Sequence, residues 1–359
     1  MNHPKNNEIF MYVGSYTNKA AEGLSVVSFD RKTGEMTIVD RRDGIAHPSF
    51  LTLDQKGQYL YTVSETMEAE GRQSGKVVSY KINPQTGELT YLSEQLTEGG
   101  APCYVSLNST GDRLFVANYA GGNVCLFPLE EGRIGKMADA VQHEGSSGAR
   151  PDRQEAPHPH SIIPDPTGRF TFVPDLGQDE IRIYRLDEER RKLIHHKDIY
   201  IKPGAGPRHL IFHPGRGYAY VVNELDSTIT SFICRNADSL EIFQTVSTLP
   251  ETYSGENTAA DLHISPCGHF LYASNRGHDS IAVYKIDLAT GALAYVEHAS
   301  TQGINPRNFA LSPDGDFLVA ANQDSRSVVA FSIDRDTGRL LGPVDSVTVS
   351  EPVCVKFLY

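Results

Sequence analysis

The sequence predicts an all-β protein in which seven four-stranded antiparallel blades form a closed ring, the architecture of a seven-bladed β-propeller. Three observations favour this fold class: a phrase that repeats six times, strand-like alternation inside each copy, and chain ends that together complete a seventh copy. The glycine turns inside the phrases recur every 50 residues or so, roughly the length of one blade. The copies begin at His47, Ala101, His158, Gly206, Thr258 and Asn305.

Within each copy, apolar and polar residues alternate with a period of two, as in Leu51–Leu53 and Tyr59–Val63. Such alternation predicts strands with one buried face. A third strand follows, for example Lys76–Ile82, and then a turn such as Asn83–Gly87. Asn or Asp begins a turn of this kind by binding its own backbone, and Gly closes it with a positive φ. A fourth strand after the turn completes the blade.

The two ends of the chain resemble different strands of the same phrase. Phe10–Thr17 matches the second strand, and Glu351–Phe357 matches the first. We therefore expect a blade shared between the N- and C-terminal segments, which closes the ring and leaves no open edge. A stack of β-sandwiches is the rival architecture, but one period across the chain favours a single propeller domain over residues 1–359.

Composition excludes several classes of partner. The net charge is −12 and no block of Lys or Arg occurs, which argues against nucleic acid or an anionic membrane surface as a partner. Five scattered cysteines without a CxxC motif indicate reduced thiols. No apolar secretory signal and no apolar stretch of membrane-spanning length is visible, so we expect a cytoplasmic protein. The oligomeric state is left open.

One segment, at about 139–157, breaks the repeat because it is polar, rich in Gly and Ser, and too long for a blade turn. Long irregular loops in compact domains are functional or flexible. Since it leads directly to His158 and His160, we expect it to form a lid or a wall over one mouth of the central channel.

Aligning the copies by register predicts where side chains meet. The first strand of each blade lines the channel, so equivalent residues of successive blades lie at one level around the axis. The third residues of the phrases are Ser49, Cys103, His160, Arg208, Ala260, Arg307 and Val353. The residues that end the second strands are Glu65, Tyr119, Leu176, Glu224, Arg276, Gln323 and Tyr16. The charged members of both sets should converge at one mouth.

Such a set of arginines, carboxylates and one histidine favours an anionic, oxygen-rich ligand. A guanidinium group binds phosphate or carboxylate bidentately and stays charged when partly buried. The structural alternative is that the arginines pair with Glu65 and Glu224 and only tie the blades together.

His158 and His160 form an HxH pair, which allows three interpretations: a metal site, a base or donor at the mouth, or structural hydrogen bonding. No Cys or carboxylate at ligand spacing completes a metal site, so none is assigned. The other histidines, among them His209, His213, His263 and His278, are expected to form hydrogen bonds at strand ends. No G-x-S-x-G, Walker or dinucleotide-binding motif occurs, so no cofactor is predicted.

Taken together, the phrases resemble the seven-bladed propeller lactonase family, which comprises the bacterial 6-phosphogluconolactonases and the related carboxymuconate lactonizing enzymes. The resemblance extends from Tyr12 to Phe357. The matching stretches are Pro157–Ser161, Asp175–Asp179, Gly204–His209, Val222–Leu225, Ser274–His278 and Ala321–Gln323.

The resemblance implies a carboxylic ester hydrolase of carbohydrate metabolism. It would hydrolyse a small anionic sugar lactone, 6-phospho-D-glucono-1,5-lactone, to 6-phosphogluconate in the cytosolic pentose phosphate pathway without a metal. The site of the lactonizing relatives implies four catalytic residues here: His160, Arg208, Glu224 and Arg276. A lactonizing or cycloisomerase enzyme acting on a dicarboxylate, and a non-catalytic propeller that binds a ligand or a protein, are the alternatives.

Lactone hydrolysis suggests roles for these residues. His160 is expected to act as the general base and Arg208 or Arg276 to stabilise the oxyanion. Glu224 would orient an arginine, hold sugar hydroxyls or itself be the base. The residues expected to bind substrate are Arg307, Arg153, His158, Glu65 and Gln323.

Overall fold

The computed structural model describes residues 7–358 as seven antiparallel sheets arranged in a ring. Within that range the regular structure is all strand, as the alternation in the sequence predicted. The predicted seven-bladed β-propeller is therefore confirmed. In the part of the chain described, no helix is long and apolar enough to cross a membrane.

The strands are numbered in chain order. Blade 1 begins with β1 (Glu8–Ser15), β2 (Leu24–Asp30) and β3 (Met36–Arg42). Blade 2 comprises β4 (Leu51–Leu53), β5 (Tyr59–Ser64), β6 (Lys76–Ile82) and β7 (Leu89–Leu96). Blade 3 comprises β8 (Pro102–Leu107), β9 (Arg113–Asn118), β10 (Asn123–Glu130), β11 (Arg133–Ile134) and β12 (Asp139–Gln142). Blade 4 comprises β13 (Ile163–Pro164), β14 (Phe170–Asp175), β15 (Glu180–Asp187) and β16 (Lys192–Tyr200).

The remaining blades follow the same order from the axis outward. Blade 5 comprises β17 (Pro207–Phe212), β18 (Tyr218–Asn223), β19 (Thr228–Cys234) and β20 (Leu240–Ser247). Blade 6 comprises β21 (Thr258–Ile264), β22 (Phe270–Arg276), β23 (Ser280–Ile286) and β24 (Leu293–Ser300). Blade 7 comprises β25 (Pro306–Leu311), β26 (Phe317–Asn322), β27 (Ser327–Ile333) and β28 (Leu340–Thr348), and β29 (Pro352–Phe357) returns to blade 1.

The ring closes as the two chain ends predicted. Strand β29 pairs with β1 in antiparallel register, with Val355 opposite Val13 and Phe357 opposite Met11, and becomes the innermost strand of blade 1. It lies between the inner strands of blades 7 and 2. The C-terminal segment therefore completes both a sheet and the wall of the channel.

The turns between outer strands follow the chemistry read from the sequence. In the first one, Asp30 Oδ1 accepts hydrogen bonds from the backbone N–H groups of Lys32 at 2.8 Å and Thr33 at 3.1 Å. Gly34 then adopts a φ of 76°, which a residue with a side chain rarely takes. Short polar residues followed by glycine thus set the blade geometry locally.

Apolar side chains pack between neighbouring blades. Phe29 of blade 1 contacts Phe317 of blade 7 edge to face at 5.4 Å between ring centroids, and Phe357 lies against it at 5.1 Å. Such pairs contribute about 0.5–1.5 kcal/mol beyond their buried area. The core is therefore a series of layers between blades, and the axis is left for polar side chains.

The predicted loop boundary needs one correction. Residues 139–142 are strand β12, which pairs with β10 from Asn123 opposite Gln142 to Leu126 opposite Asp139. Blade 3 needs this outer strand because β11 is only two residues long. The irregular segment thus begins at His143 and not at residue 139.

Candidate active site

Irregular pairing in the inner strands directs side chains into the channel. In blades 3, 5 and 7 the inner strand starts at a proline, and the pairing register then skips one residue: Cys103, Arg208 or Arg307. An extra residue of this kind is a β-bulge, which bends the strand and re-aims its side chain. The three skipped residues line one narrow cavity on the axis, together with Ser49 and Val353. The predicted convergence of these five positions is what the structure shows.

The ends of the second strands are held at the same level by a repeated backbone hydrogen bond. The N–H of Glu224 donates to the carbonyl of Gly206 at 2.7 Å, and Gly206 has a φ of 67°. The same bond recurs from Tyr16, Glu65, Tyr119, Leu176 and Gln323 to the residues Glu351, His47, Ala101, His158 and Asn305. The main chain therefore fixes these positions whatever side chain they carry.

Glu224 is the centre of the site, with 4% of its surface exposed. Its Oε2 accepts a hydrogen bond from Arg208 Nε at 2.9 Å and lies 3.0 Å from Arg276 Nη2. Its Oε1 accepts one from Arg153 Nη2 at 2.6 Å. The carboxylate thus brings together guanidinium groups from β17, from β22 and from the irregular segment.

The charges around Glu224 determine its protonation. Burial alone raises the pKa of this carboxyl, but the charges of Arg276 and Arg208 outweigh burial and hold the pKa well below its ordinary value. Burial in turn lowers the pKa of Arg276 to about 10, although Glu224 opposes the change. Glu224 is a permanent anion at neutral pH, and its oxygens are occupied by three cations.

His160 lies beside this cluster and is 4% exposed. Its Nε2 is 3.8 Å from Glu224 Oε2, and its Nδ1 is 3.5 Å from Cys103 Sγ. Burial, and then the charge of Arg208, hold the pKa of His160 well below its ordinary value. The imidazole is therefore neutral at neutral pH and able to accept a proton.

Arg307 differs from the other arginines because it makes no ion pair with any carboxylate of residues 7–358. Its guanidinium carbon lies over the Tyr16 ring, 5.6 Å from the centroid. The Tyr16 hydroxyl in turn lies 3.2 Å from both carboxylate oxygens of Glu65. The aromatic face positions the cation without neutralising it, so its charge remains available to a ligand.

The irregular segment is a wall tied to the body of the protein. Gln154 is fully buried, donates from Nε2 to the Leu176 carbonyl at 2.8 Å, and accepts from the Arg150 N–H at 3.0 Å. Near its start, His143 Nδ1 is 2.7 Å from Asp175 Oδ2. Of the two expected forms, lid and wall, these buried contacts favour the wall, and Arg153 stands at its edge with 35% of its side chain exposed.

Two of the predicted binding residues lie beside the charged cluster rather than in it. His158 stacks on Tyr119 at 4.4 Å, and its Nε2 is 3.1 Å from Glu155 Oε1. Gln323 is half-buried at the end of β26, and its side chain makes no hydrogen bond within the described part of the chain. Among residues 7–358 no group of three or more His, Cys, Asp or Glu side chains could hold a metal ion.

His209 forms a structural hydrogen bond, as expected from the sequence, but sequence reasoning did not place it in the cavity and missed Asp261. His209 lines the axial cavity next to Arg208, and its Nδ1 is 2.8 Å from Asp261 Oδ1. The bulge after Pro207 places two consecutive side chains in the cavity, which strict alternation excludes. The available signal was a proline at a strand start followed by two polar residues, which recurs at Pro306.

The fold and this geometry agree with the comparisons to known proteins. The family described as "Lactonase, 7-bladed beta-propeller" matches residues 10–357. This chain belongs to that family. The resemblance read from the sequence is thereby confirmed.

Relatives of this lactonase-family chain cover its whole length. It is 35% identical over 350 residues to the 6-phosphogluconolactonase of Bacillus subtilis, covering 97% of this chain and 98% of the relative. A Formosa agariphila protein of the same name is 36% identical over 310 residues, covering 84% and 86%. The solved Pseudomonas aeruginosa periplasmic gluconolactonase superposes with a TM-score of 0.93 at 33% identity, covering 98% of this chain and 99% of that one.

Proposed function

We propose that this chain hydrolyses a sugar lactone and that 6-phospho-D-glucono-1,5-lactone, giving 6-phosphogluconate, is its substrate. The observation that carries the proposal is a buried histidine beside four arginines, three of which are held by the carboxylate of Glu224. The histidine is His160, the arginines are 153, 208, 276 and 307, and Glu65 reaches the fourth through Tyr16. The names of the bacterial relatives support the same substrate.

The chemistry needs a base, an oxyanion donor and an anchor. His160 takes a proton from a water molecule while the oxygen of that water attacks the lactone carbonyl. Arg208 or Arg276 stabilises the oxyanion that forms on the carbonyl oxygen. The ring C–O bond then breaks, and His160 returns the proton to the departing oxygen, which becomes a hydroxyl group. The carboxylic acid that forms ionises in water. General base assistance contributes about 10²–10⁴-fold, and one oxyanion donor about 10²–10³-fold.

The structure favours His160 over Glu224 as the base. Both oxygens of Glu224 are bound by guanidinium groups, so neither is free to take a proton from water. Its role in the proposal is to hold Arg208, Arg276 and Arg153 at fixed positions. Within residues 7–358, His160 Nε2 has no partner at hydrogen-bonding distance, since Glu224 Oε2 is 3.8 Å away.

The anchor for the phosphate is Arg307, aided by Arg153. Arg307 makes no direct ion pair with a carboxylate in the described part of the chain, and Arg153 is exposed enough at the mouth to reach a ligand. Arginine matches phosphate bidentately, and two guanidinium groups can neutralise a dianion. His158, Glu65 and Gln323 are proposed to line the rest of the sugar site.

A non-phosphorylated lactone is the second candidate, because one solved relative is described as a gluconolactonase. That relative is also described as periplasmic, so the cytoplasmic location of this chain stays a prediction. The two substrates differ only in the phosphate, so Arg307→Gln distinguishes them. The substitution should raise KM for the phosphorylated lactone and leave the plain lactone unaffected.

The central experiment measures hydrolysis of freshly made lactone above its spontaneous rate, with and without chelator. We expect turnover by the wild type and a loss of about 10²–10⁴-fold in His160→Gln, because the base is removed. His196→Gln is the matched control, since His196 lies on the outer strand of blade 4, where it pairs with Asp238. A His160→Gln protein that folds and hydrolyses at the wild-type rate would refute the assignment.

A further inference from the structure

Below the charged cluster, the channel contains a second polar group that the proposed chemistry does not use. Asp261, in a bulge of β21, is 4% exposed and lies next to His209. Its Oδ1 accepts a hydrogen bond from His209 Nδ1 at 2.8 Å and another from the Leu262 N–H at 3.0 Å. Burying a carboxylate is costly in free energy unless hydrogen-bond donors surround it, and the fold supplies those donors here.

The partners of His209 settle its tautomer. A carboxylate can only accept a hydrogen bond, so Nδ1 carries the proton that points at Asp261. Arg208 Nη1 lies 3.1 Å from His209 Nε2 and 3.4 Å from Nδ1, so the guanidinium group rests against the imidazole ring. A cation in this position disfavours a second proton on the ring. Burial and the charge of Arg208, which together lower the pKa of His209 to about 4, agree with a neutral ring.

The result is that Arg208 is held at two of its three nitrogens. Nε donates to Glu224, and Nη1 donates to the Ala260 carbonyl at 2.5 Å and rests against the His209 ring. Nη2 has no hydrogen-bond partner within residues 7–358 and belongs to a side chain that lines the cavity. The two N–H groups of Nη2 are thus left for a ligand, in an orientation that the protein fixes beforehand.

Asp261 is itself locked by two further strands. Its Oδ2 accepts from Asn308 Nδ2 of β25 and lies 3.0 Å from His263 Nε2. Asn308 Oδ1 accepts from the Val355 N–H of β29 at 2.7 Å. The carboxylate therefore connects His209 to strands of three other blades. This connection holds the imidazole more rigidly than a contact within one strand would.

We propose that Asp261 and His209 are positioning residues, which hold Arg208 in the orientation that stabilises the lactone oxyanion. The inference rests on the proposed function, because it assigns Arg208 a part in lactone hydrolysis. Supporting contacts of this kind are worth about 10–100-fold in activity where they have been removed from other sites. Such contacts contribute to catalysis by preorganisation. A donor that is already correctly oriented stabilises the transition state more than a donor that must first reorient.

The test compares two substitutions of one residue. Gln at position 209 can still donate to Asp261 and present a polar group to Arg208, whereas Leu fills similar space and can do neither. We expect His209→Leu to lower kcat about 10–100-fold with KM little changed, and His209→Gln to retain much more activity. Asp261→Asn, which keeps the side-chain size, should also lower kcat. His213→Leu is the control, because His213 is buried in the same blade but bonds to Gly268, away from the channel.

The outcomes separate the two proposals. Wild-type kcat in folded His209→Leu, or equal losses in the Leu and Gln variants, would overturn the positioning role and leave the lactonase assignment intact. A wild type without lactonase activity would refute the proposed function, and the positioning role, which rests on it, would fall with it.

Discussion

Glu224 shares its two oxygens among three guanidinium groups from different parts of the chain. Its removal would leave three positive charges close together, two of them on side chains that are largely buried. A buried ion pair adds little when complete, but breaking one by removing a single partner is expensive. At the scale of the residue, this carboxylate therefore holds three side chains of the candidate site in place.

Glu224→Gln should lower the free energy of unfolding by about 3–5 kcal/mol, because the arginines lose their counter-charge. Inorganic phosphate should raise the Tm of this variant more than that of the wild type, since an anion can take the vacated place. Thermal unfolding with increasing phosphate measures both effects. Glu241→Gln is the control, because Glu241 pairs with Arg235 on the exposed surface, where such pairs contribute little. A Tm equal to the wild type, without a phosphate response, would contradict this account of the cluster.

The proposal that His160 is the base has a testable pH dependence. The pKa of His160 lies well below its ordinary value of 6.5, and a general base works only when unprotonated. Activity should therefore persist as the pH falls through 6.5 and be lost only at more acid pH. The measurement is kcat/KM against pH, corrected for spontaneous hydrolysis. An acid limb above pH 6.5 would show that the base is not this buried imidazole.

Much of the residue scale could be predicted from the register of the repeats. Arg208, Glu224 and Arg276 were placed at one mouth by alignment of the phrases alone, and the structure brings them into contact. His209 and Asp261 could not be placed, because a bulge breaks the alternation on which register arguments depend. Pairing of this kind is decided by contacts between blades, which a single sequence does not show.

At the scale of the element, the position of the irregular segment depends on a close backbone contact with the residues that follow β14. A Cβ atom on Gly177 would overlap the carbonyl oxygen of Ala156, three residues from Arg153. Glycine is needed here to let the two backbones touch. The position of the wall, and with it the position of Arg153, depends on this contact.

Gly177→Ala should displace the wall, costing about 1–3 kcal/mol and raising KM for the phosphorylated lactone, because Arg153 moves with it. Gly215→Ala is the matched control, since a Cβ there would meet nothing within 4 Å. Unfolding curves and steady-state kinetics on both variants provide the comparison. If Gly177→Ala were as active and as stable as Gly215→Ala, the wall would not position Arg153.

The sequence showed that this segment is irregular and where it leads, since its composition and length stand out. Its start was misplaced because Asp139–Gln142 is short and carries little apolar pattern. Its anchoring was not predictable either. The contacts of Gln154 and His143 are made with Leu176 and Asp175, and nothing in local composition identifies those partners.

At the scale of the whole molecule, ring closure by β29 supports both the fold and the site. Without this strand, β1 would lose its inner partner and Asn308 would lose the N–H group of Val355. The period of the repeats and the matching chain ends made this arrangement predictable. The identity of the closing strands followed from pattern alone, because each end matched a different strand of one phrase.

Deleting residues 352–358 should abolish the cooperative unfolding transition and not merely lower its midpoint, because the ring would open at its inner wall. Circular dichroism during heating, with size-exclusion chromatography, measures this. The single substitution Lys356→Gln is the comparison, since it keeps the strand and its backbone pairing with Tyr12. A truncated protein with a sharp transition near that of the intact chain would contradict the role given to β29.

The backbone hydrogen bond that recurs at the second-strand ends has an evolutionary consequence. Glu, Tyr, Leu and Gln occupy equivalent positions around the rim, yet each is supported by the same N–H to carbonyl contact. An exchange at one of these sites would change the side chain at the rim while this backbone contact stays in place. If the proposed function is right, descendants of one ancestral ring could vary their preference for lactones by replacing one rim residue at a time, wherever that side chain has no structural role of its own.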